Sequence, residues 1–282
     1  MKKITLLICL LMLFTIGAGY AQNAWTKPQG NGYFQVAFHN ISNYNTLFNR
    51  DGDAIELPRQ ISDRTIQLYG EFGLTNNLTL IANVPYKLLQ TGDAQVATPI
   101  IEEGSLNTLG NVSLGLRHKI YSGAVNISAQ VDVQGNTSSY NDKTGLRSDL
   151  DAWSVTPTIS LGKGGSNSFF QAFAGYVWRS NDYSHHLTVG GEAGTKIFKK
   201  HWLIGFVNFF NSFENGNRTE ELNNVFTGLF LNNQEYVSFG FKGIFYIQPN
   251  FGINVGAGGA FSGHLVAAAP ALSLGIFYEL KD

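Results

Sequence analysis

The stretch "NDYSHHL", residues 181–187, sets Asp182, Ser184 and His186 at every second position. An acid, a hydroxyl and an imidazole are the parts of a nucleophilic relay, in which the imidazole takes the hydroxyl proton and the acid orients the imidazole. Such a relay depends on geometry, and neighbours two apart in a polar segment rarely reach it. Polar loop residues are the plainer reading. The remaining histidines, His39, His118, His185, His201 and His264, form no metal-binding motif. "NRDGDAIE" carries Asp51, Asp53 and Glu56 but lacks the D-x-[DN]-x-[DN]-G spacing of a calcium loop. "GKGGSN", residues 162–167, is a glycine turn with no helix behind it, so it is not a phosphate loop. The single cysteine, Cys9, lies in a segment expected to be removed. The mature chain is left without a thiolate, a disulfide or a cysteine metal site. No catalytic residue, metal or cofactor is expected.

Another set of charges gains meaning from the elements that carry it. In "AVNISAQVDVQ", Val125, Ile127, Ala129, Val131 and Val133 fall on one face, and Asn126, Ser128, Gln130, Asp132 and Gln134 on the other. Successive side chains of a strand point to opposite faces, so this period of two argues strand and no helix would segregate the residues so. "NVSLGLRHKI" separates in the same way. Asn111, Ser113, Gly115, Arg117 and Lys119 oppose Val112, Leu114, Leu116 and Ile120. The same alternation sends Glu71, Lys87, Arg117, Lys119, Asp132, Arg179, Glu192, Lys196 and Lys242 to the polar side. Charges lining an enclosed lumen either pair across strands and fill it or border a polar path. On alternation alone Arg117→Glu is tolerated, because its site is already polar.

The ends and the composition say what the strands enclose. "MKKITLLICLLMLFTIGAGYAQ" has basic Lys2 and Lys3, an apolar run from Ile4 to Ile16, and a small-x-small Gly19-Tyr20-Ala21. That is a secretory signal peptide, with the cut expected after Ala21. Residues 1–21 are the leader and 22–282 the mature domain. Loss of Lys2 and Lys3 takes the formal charge from −1 to −3, no footprint for nucleic acid. Charged residues make up only 14% and aromatics 13% of the chain, and glycines number 32. A soluble domain carries roughly 25% charged residues. No apolar stretch after the leader approaches the ~20 residues of a membrane helix. An exported, aromatic-rich, charge-poor chain without such a helix fits a transmembrane barrel, half of whose side chains face lipid.

The full pass predicts an all-β, antiparallel up-and-down barrel of about twelve strands, within limits of ten and fourteen. They lie near 32–43, 64–74, 78–90, 109–121, 124–135, 152–161, 168–179, 186–198, 202–213, 235–247, 251–263 and 271–280. Short and long connections alternate, as periplasmic turns and outer loops do in outer-membrane barrels. Parity puts Leu74 opposite Leu78 and Phe245 opposite Ile253. It leaves 75–77 and 248–250 as turns whose last residues, Asn77 and Asn250, would take the left-handed conformation. It also pairs Arg117 with Ser128 and Ser113 with Asp132. Aromatics gather into two belts. Phe72, Tyr121, Phe169, Phe198, Trp202 and Phe251 stand near the short turns, and Tyr86, Trp153, Trp178, Phe210 and Phe261 near the other rim. Pro85 and Pro157 fall inside strands, where a missing N–H must be accommodated. Residues 214–234 are either a further strand or an outer extension.

"AWTKPQGNGYFQV", "TIQLYGEFGLTNNLTLIANVPY" and "GSLNTLGNVSLGLRHKIY" follow one another in an order that resembles a known family. It comprises the exported barrels grouped as outer-membrane transporters of the phenol-degradation MetA-pathway type, particularly those of Bacteroidetes. The family pattern matches at Tyr69 to Thr75, at Val84-Pro85-Tyr86 and at Gly110 to Gly115, with Asn111 where the family often has Asp. The resemblance implies an outer-membrane barrel of a Gram-negative cell that passes a small hydrophobic or aromatic solute. Its motifs mark architecture and bring no catalytic residues. The expected partners are outer-membrane lipid and a small-molecule solute, with the chain a monomer. Two alternatives stand beside this: a surface barrel whose loops bind a partner, and a barrel hydrolase using rim residues such as His186.

Overall fold

The computed structural model describes residues 24–281; the leader and its cut lie outside them. In chain order the elements are β1 (Gly32–Phe48), β2 (Ala54–Thr75), β3 (Leu78–Ala94), β4 (Gly104–Leu109), β5 (Ser113–Ser122), β6 (Asn126–Gln134), β7 (Tyr140–Asn141), β8 (Leu146–Arg147), β9 (Ser154–Gly164), β10 (Ser168–Arg179), β11 (His186–Ile197) and β12 (His201–Ser212). There follow α1 (Leu222–Val225), β13 (Glu235–Gln248), β14 (Phe251–His264), β15 (Val266–Ala267) and β16 (Ala271–Leu280). β4 and β5 share one place in the wall, both pairing β3, and β1 closes the ring by pairing both β2 and β16. The result is a closed, antiparallel barrel of twelve strands. Closure leaves no wall strand with an open edge, which a strand in lipid could not afford.

Alternation builds the wall as expected. Along β5, Leu114 and Leu116 are exposed to the outside while Ser113, Gly115 and Arg117 are buried. Leu272, Leu274, Ile276 and Tyr278 do the same along β16. The two strand prolines sit where the ladder is already broken. Pro85 faces the interruption between β4 and β5, and its carbonyl accepts from Gly110 N at 2.9 Å. N–H and C=O of one strand residue point the same way, so the missing donor also faces that gap. Beside Pro157 the β9–β10 ladder skips from Thr158/Gly175 to Val155/Trp178.

The turns and registers correct several expectations. Thr75 pairs Leu78, with a bulge between Gly73 and Thr75, so the turn is Asn76-Asn77. Phe245 does pair Ile253, but Gln248 pairs Phe251, leaving Pro249-Asn250. Neither Asn77 nor Asn250 has a positive φ. In both hairpins a bulge in the first strand takes up the extra residue, so no left-handed residue is needed. A further shift between Lys119 and Tyr121 moves β6 along β5. Arg117 pairs Gln130, and Ser113 pairs Gln134. Tyr86, Tyr121, Trp153, Trp178, Phe198 and Phe261 are exposed on the outer surface. Three expected belt residues turn inward instead. Phe169 and Trp202 meet inside the barrel with ring centroids 5.4 Å apart, and Phe210 stacks on His186 at 4.5 Å.

Candidate functional site

The inside of the barrel is filled unevenly. On one side, β2, β3, β5 and β6 send polar and charged side chains inward, and these saturate one another. Arg117 is 0% exposed, with Nη1 donating to Glu71 Oε1 at 3.1 Å and Nε to Gln130 Oε1 at 2.8 Å. Gln130 Nε2 donates to Asp132 at 2.6 Å, and Tyr69 OH to Glu71 at 2.6 Å. Nearer the outer rim Lys87 Nζ pairs with Asp63 at 2.9 Å. His39, Gln67 and Asn83 form a further chain, with His39 Nε2 2.9 Å from Gln67 Oε1 and Gln67 Nε2 donating to Asn83 at 2.7 Å. Burying charge is tolerable only when it is paired and hydrogen-bonded, and Arg117 with Glu71 and Lys87 with Asp63 meet that condition.

On the other side a run of inward positions of β13, β14 and β16 is small, namely Gly240, Gly256, Gly258, Ala271, Ser273 and Gly275, although Lys242, Tyr246, Asn254 and Glu279 from the same strands also border the space. Here the glycines follow from close approach. A Cβ on Gly258 would meet the Phe206 ring at 2.8 Å. The space left is a chamber of about 530 Å³. Trp25, Phe169, Trp202, Phe206, Tyr33 and Tyr69 supply its aromatic walls, and Gln35, Gln67, Asn83, Gln171 and Asn254 its amides. Ion pairs stand at its border: Lys27 Nζ lies 3.7 Å from Glu71, and Lys242 Nζ lies 2.5 Å from Glu192 Oε1 and 4.9 Å from the Phe206 ring centroid, with Gln171 donating to the other Glu192 oxygen at 3.0 Å.

Of the nine charges that alternation sends inward, only Glu71, Glu192 and Lys242 border this chamber. Arg117, Asp132 and Lys87 belong to the filled side. Lys119 donates to Asn76 O at 2.9 Å at the short-turn rim. Lys196 lies 5.2 Å from the Trp202 ring centroid. Arg179 stands near the outer rim, with Nη1 3.0 Å from His186 Nδ1. The sequence reading missed the chamber's main lining, the inward aromatics and the small residues opposite them. The parity of Trp202 with the polar Asn208 on β12 was a usable signal for the first.

Residues 213–234, between β12 and β13, form a cap rather than a further strand. α1 starts an irregular segment that lays Leu229 and Phe230 against the inner side of β1, β2 and β3 at the outer mouth. Leu229 is buried with Tyr44, Leu47, Leu57, Ile61, Leu89, Leu146 and Ala269, and Phe230 packs against the cluster. The Lys87 ammonium lies 4.9 Å from the Phe230 ring centroid. Asn224, fully buried, ties the cap down by donating to Leu229 O at 3.0 Å and to Gly145 O at 3.2 Å. Burial pushes the Glu220 carboxyl in this segment up from its ordinary value, against the lowering effect of the Asn232 N–H.

A second loop, 135–153, is pinned at the break between β4 and β5. Asn111 Nδ2 donates to Leu150 O at 2.7 Å, and its Oδ1 accepts from the backbone of Thr137 at 2.9 Å and Ser138 at 3.0 Å. Its own N–H donates to Asp149 at 3.0 Å. Burial raises the Asp149 carboxyl, opposed by that hydrogen bond. An amide donates and accepts at once, which an ionised Asp at this position could not do. Asn111→Ala is therefore expected to loosen the loop by leaving the Ser138 N–H without its partner, at roughly 1–3 kcal/mol for a group left unpaired, while the Thr137 N–H keeps Gly135 O and the Leu150 carbonyl keeps the Ser138 hydroxyl. Limited proteolysis should then cut the 135–153 loop in the variant and spare the parent; equal resistance in both would remove the pin.

The possible hydrolytic group does not assemble. The Ser184 hydroxyl donates to Asn233 Oδ1 at 2.5 Å and accepts from Gly216 N at 3.0 Å. The His186 ring nitrogens face the backbone carbonyls of Ser184 and Gln234, each at 3.0 Å. Among the described residues no cluster of His, Cys, Asp or Glu suits a metal ion.

No protein-family description and no curated protein matches the chain. Solved structures do. An outer membrane channel from Pseudomonas putida F1 superposes with a TM-score of 0.66 at 13% identity, over 92% of this chain and 98% of that one. The NanC porin reaches 0.54 at 8% identity, over 87% of this chain and 98% of its own. The translocator domain of the autotransporter NalP from Neisseria meningitidis reaches 0.50 at 9% identity, over 90% of each chain. At these identities the likeness is one of architecture: the chain has the fold of the outer-membrane β-barrels.

Proposed function

We propose that the protein is an outer-membrane channel for a small hydrophobic or aromatic solute. The chamber carries this reading. At about 530 Å³ it falls in the size range of small-ligand sites, roughly 300–1,000 Å³. Its aromatic walls offer ring faces and its amides fix orientation, and rings prefer offset or edge-to-face contact with such walls. The fold shared with a solved outer membrane channel supports the same reading. The Leu229–Phe230 cap is then the outer gate. Conduction requires it to lift, and the cluster beneath it keeps the resting channel shut.

The test pairs current with binding. In planar bilayers the parent should conduct rarely. A variant with residues 226–232 replaced by a short Gly-Ser bridge should conduct far more, because the apolar seal is gone. Titration with phenol should quench tryptophan fluorescence in the parent, and less in Trp202→Phe. No current from either protein would sink the channel, and quenching unchanged in Trp202→Phe would remove the aromatic solute from the chamber.

A further inference from the structure

We propose that residues 24–31 are a tethered plug that closes the short-turn mouth of the barrel and swings aside to open it. The idea rests on the channel reading and concerns the opposite end from the cap. The segment leaves the wall at Gly32, the first residue of β1, and ends with Ala24 against β9 and β10. Those strands stand five and six places round the twelve-strand ring from β1, so the segment crosses the full mouth. Eight extended residues reach at most roughly 26–29 Å, enough for that span. Trp25 and Lys27 form part of the chamber's lining, and Ala24 is 0% exposed.

The way it is held separates a hinge from a moving part. Backbone bonds to the wall occur at the hinge: Gly30 N donates to Gly73 O at 3.0 Å, and Gly73 N to Asn31 O at 2.9 Å. Gly30 has φ +78, a turn that glycine adopts without strain. Beyond it residues 24–29 belong to no strand, and side chains hold them to the wall. Lys27 N donates to Thr79 Oγ1 at 2.8 Å, the Trp25 carbonyl accepts from Arg117 Nη1 at 3.2 Å, and Ala24 N donates to Gln171 Oε1 at 3.3 Å. Lys27 Nζ lies 3.7 Å from Glu71, and the Trp25 ring meets Phe169 edge-on at 6.0 Å. No ladder would have to be torn for residues 24–29 to leave.

The wall is also shaped to receive them. A Cβ on Gly73 would collide with the Pro28 carbonyl, and one on Gly162 would come within 2.7 Å of the Ala24 Cβ. A larger residue at Gly162 should therefore compete with the plug for its seat while leaving the plug sequence intact.

The experiment reads plug and channel separately, in the full chain carrying Cys9→Ala. A single Ala24→Cys should react with a membrane-impermeant maleimide several-fold more slowly than Ser166→Cys in the exposed β9–β10 turn. Adding Gly162→Val, or Lys27→Ala, should speed the reaction at position 24. In bilayers Gly162→Val should raise the current of the variant lacking its outer cap, the background used for every current in this comparison. The pair Ala24→Cys and Gly162→Cys should pass less current oxidised than after dithiothreitol. Position 24 reacting as fast as position 166 overturns the plug. Slow reaction with currents indifferent to both Gly162 changes overturns its gating role. Silence from every protein, the variant lacking its outer cap included, overturns the channel reading and the gating role with it.

Discussion

Arg117→Glu is expected to abolish folding of the barrel, the opposite of what alternation alone suggests. The site is polar but already saturated. Arg117 is 0% exposed, and its guanidinium holds Glu71, itself 3% exposed, together with Gln130 and the Trp25 carbonyl. Removing one partner of a buried pair costs about 3–5 kcal/mol, because the other charge is left uncompensated. Glu at 117 would add repulsion from Glu71 and remove donors from three acceptors. Whole-domain stability is commonly about 5–15 kcal/mol, so the change consumes a large share of it. The readout is the unheated gel band of the refolded chain, with its denaturant midpoint. Arg117→Met should lower that midpoint strongly. Arg117→Met with Glu71→Leu should recover much of the loss, since an apolar replacement of both partners is often neutral or better. An Arg117→Glu protein that refolds with the parent midpoint would show that the pair contributes nothing.

Leu114→Arg is expected to impair insertion. Leu114 is 57% exposed on the outer surface, about halfway along the wall strand shared by β4 and β5, flanked by Ala82 and Val133 on the neighbouring strands. An arginine facing lipid near the bilayer midplane costs roughly 2–4 kcal/mol. Leu114→Ala serves as the control for lost bulk. The heat-modifiable fraction after refolding into lipid vesicles should fall for Arg and hold for Ala. Equal folding of both would mean that this face does not contact lipid.

These two residues show what period-two reasoning reaches. It assigns Leu114 outward and Arg117 inward, because face is a property of one strand. It does not choose Arg117's partner, because pairing depends on register, and the irregularity between Lys119 and Tyr121 moves the register of β6 along β5. Gln130 therefore takes the place that parity gave to Ser128. Bulges also account for Asn77 and Asn250, which close their turns without left-handed backbone. The belts were legible where aromatics share parity with leucines, as Tyr86 does with Leu80. They were misread where position near a strand end outweighed parity, as at Trp202. Residues 214–234 stayed open between a strand and an outer extension because Leu229, Phe230 and Leu231 are consecutive and carry no period; the structure shows the extension. The mouth-crossing segment escaped because eight residues without alternation have no signature, and only the folded wall shows where they lie.

The uneven filling of the lumen divides labour in a way that bears on how such a protein diversifies. The paired side, around Arg117 and Glu71, tolerates little change, since each group there answers to another. On the small side Gly240 and Gly258 are held to glycine by the atoms a Cβ would meet, but Ala271 borders the chamber without a charge to satisfy. A single enlargement there, such as Ala271→Val, would reshape the chamber while leaving every ion pair in place. Lineages of this barrel can therefore drift in what they admit, one side chain at a time, over a frame that stays the same.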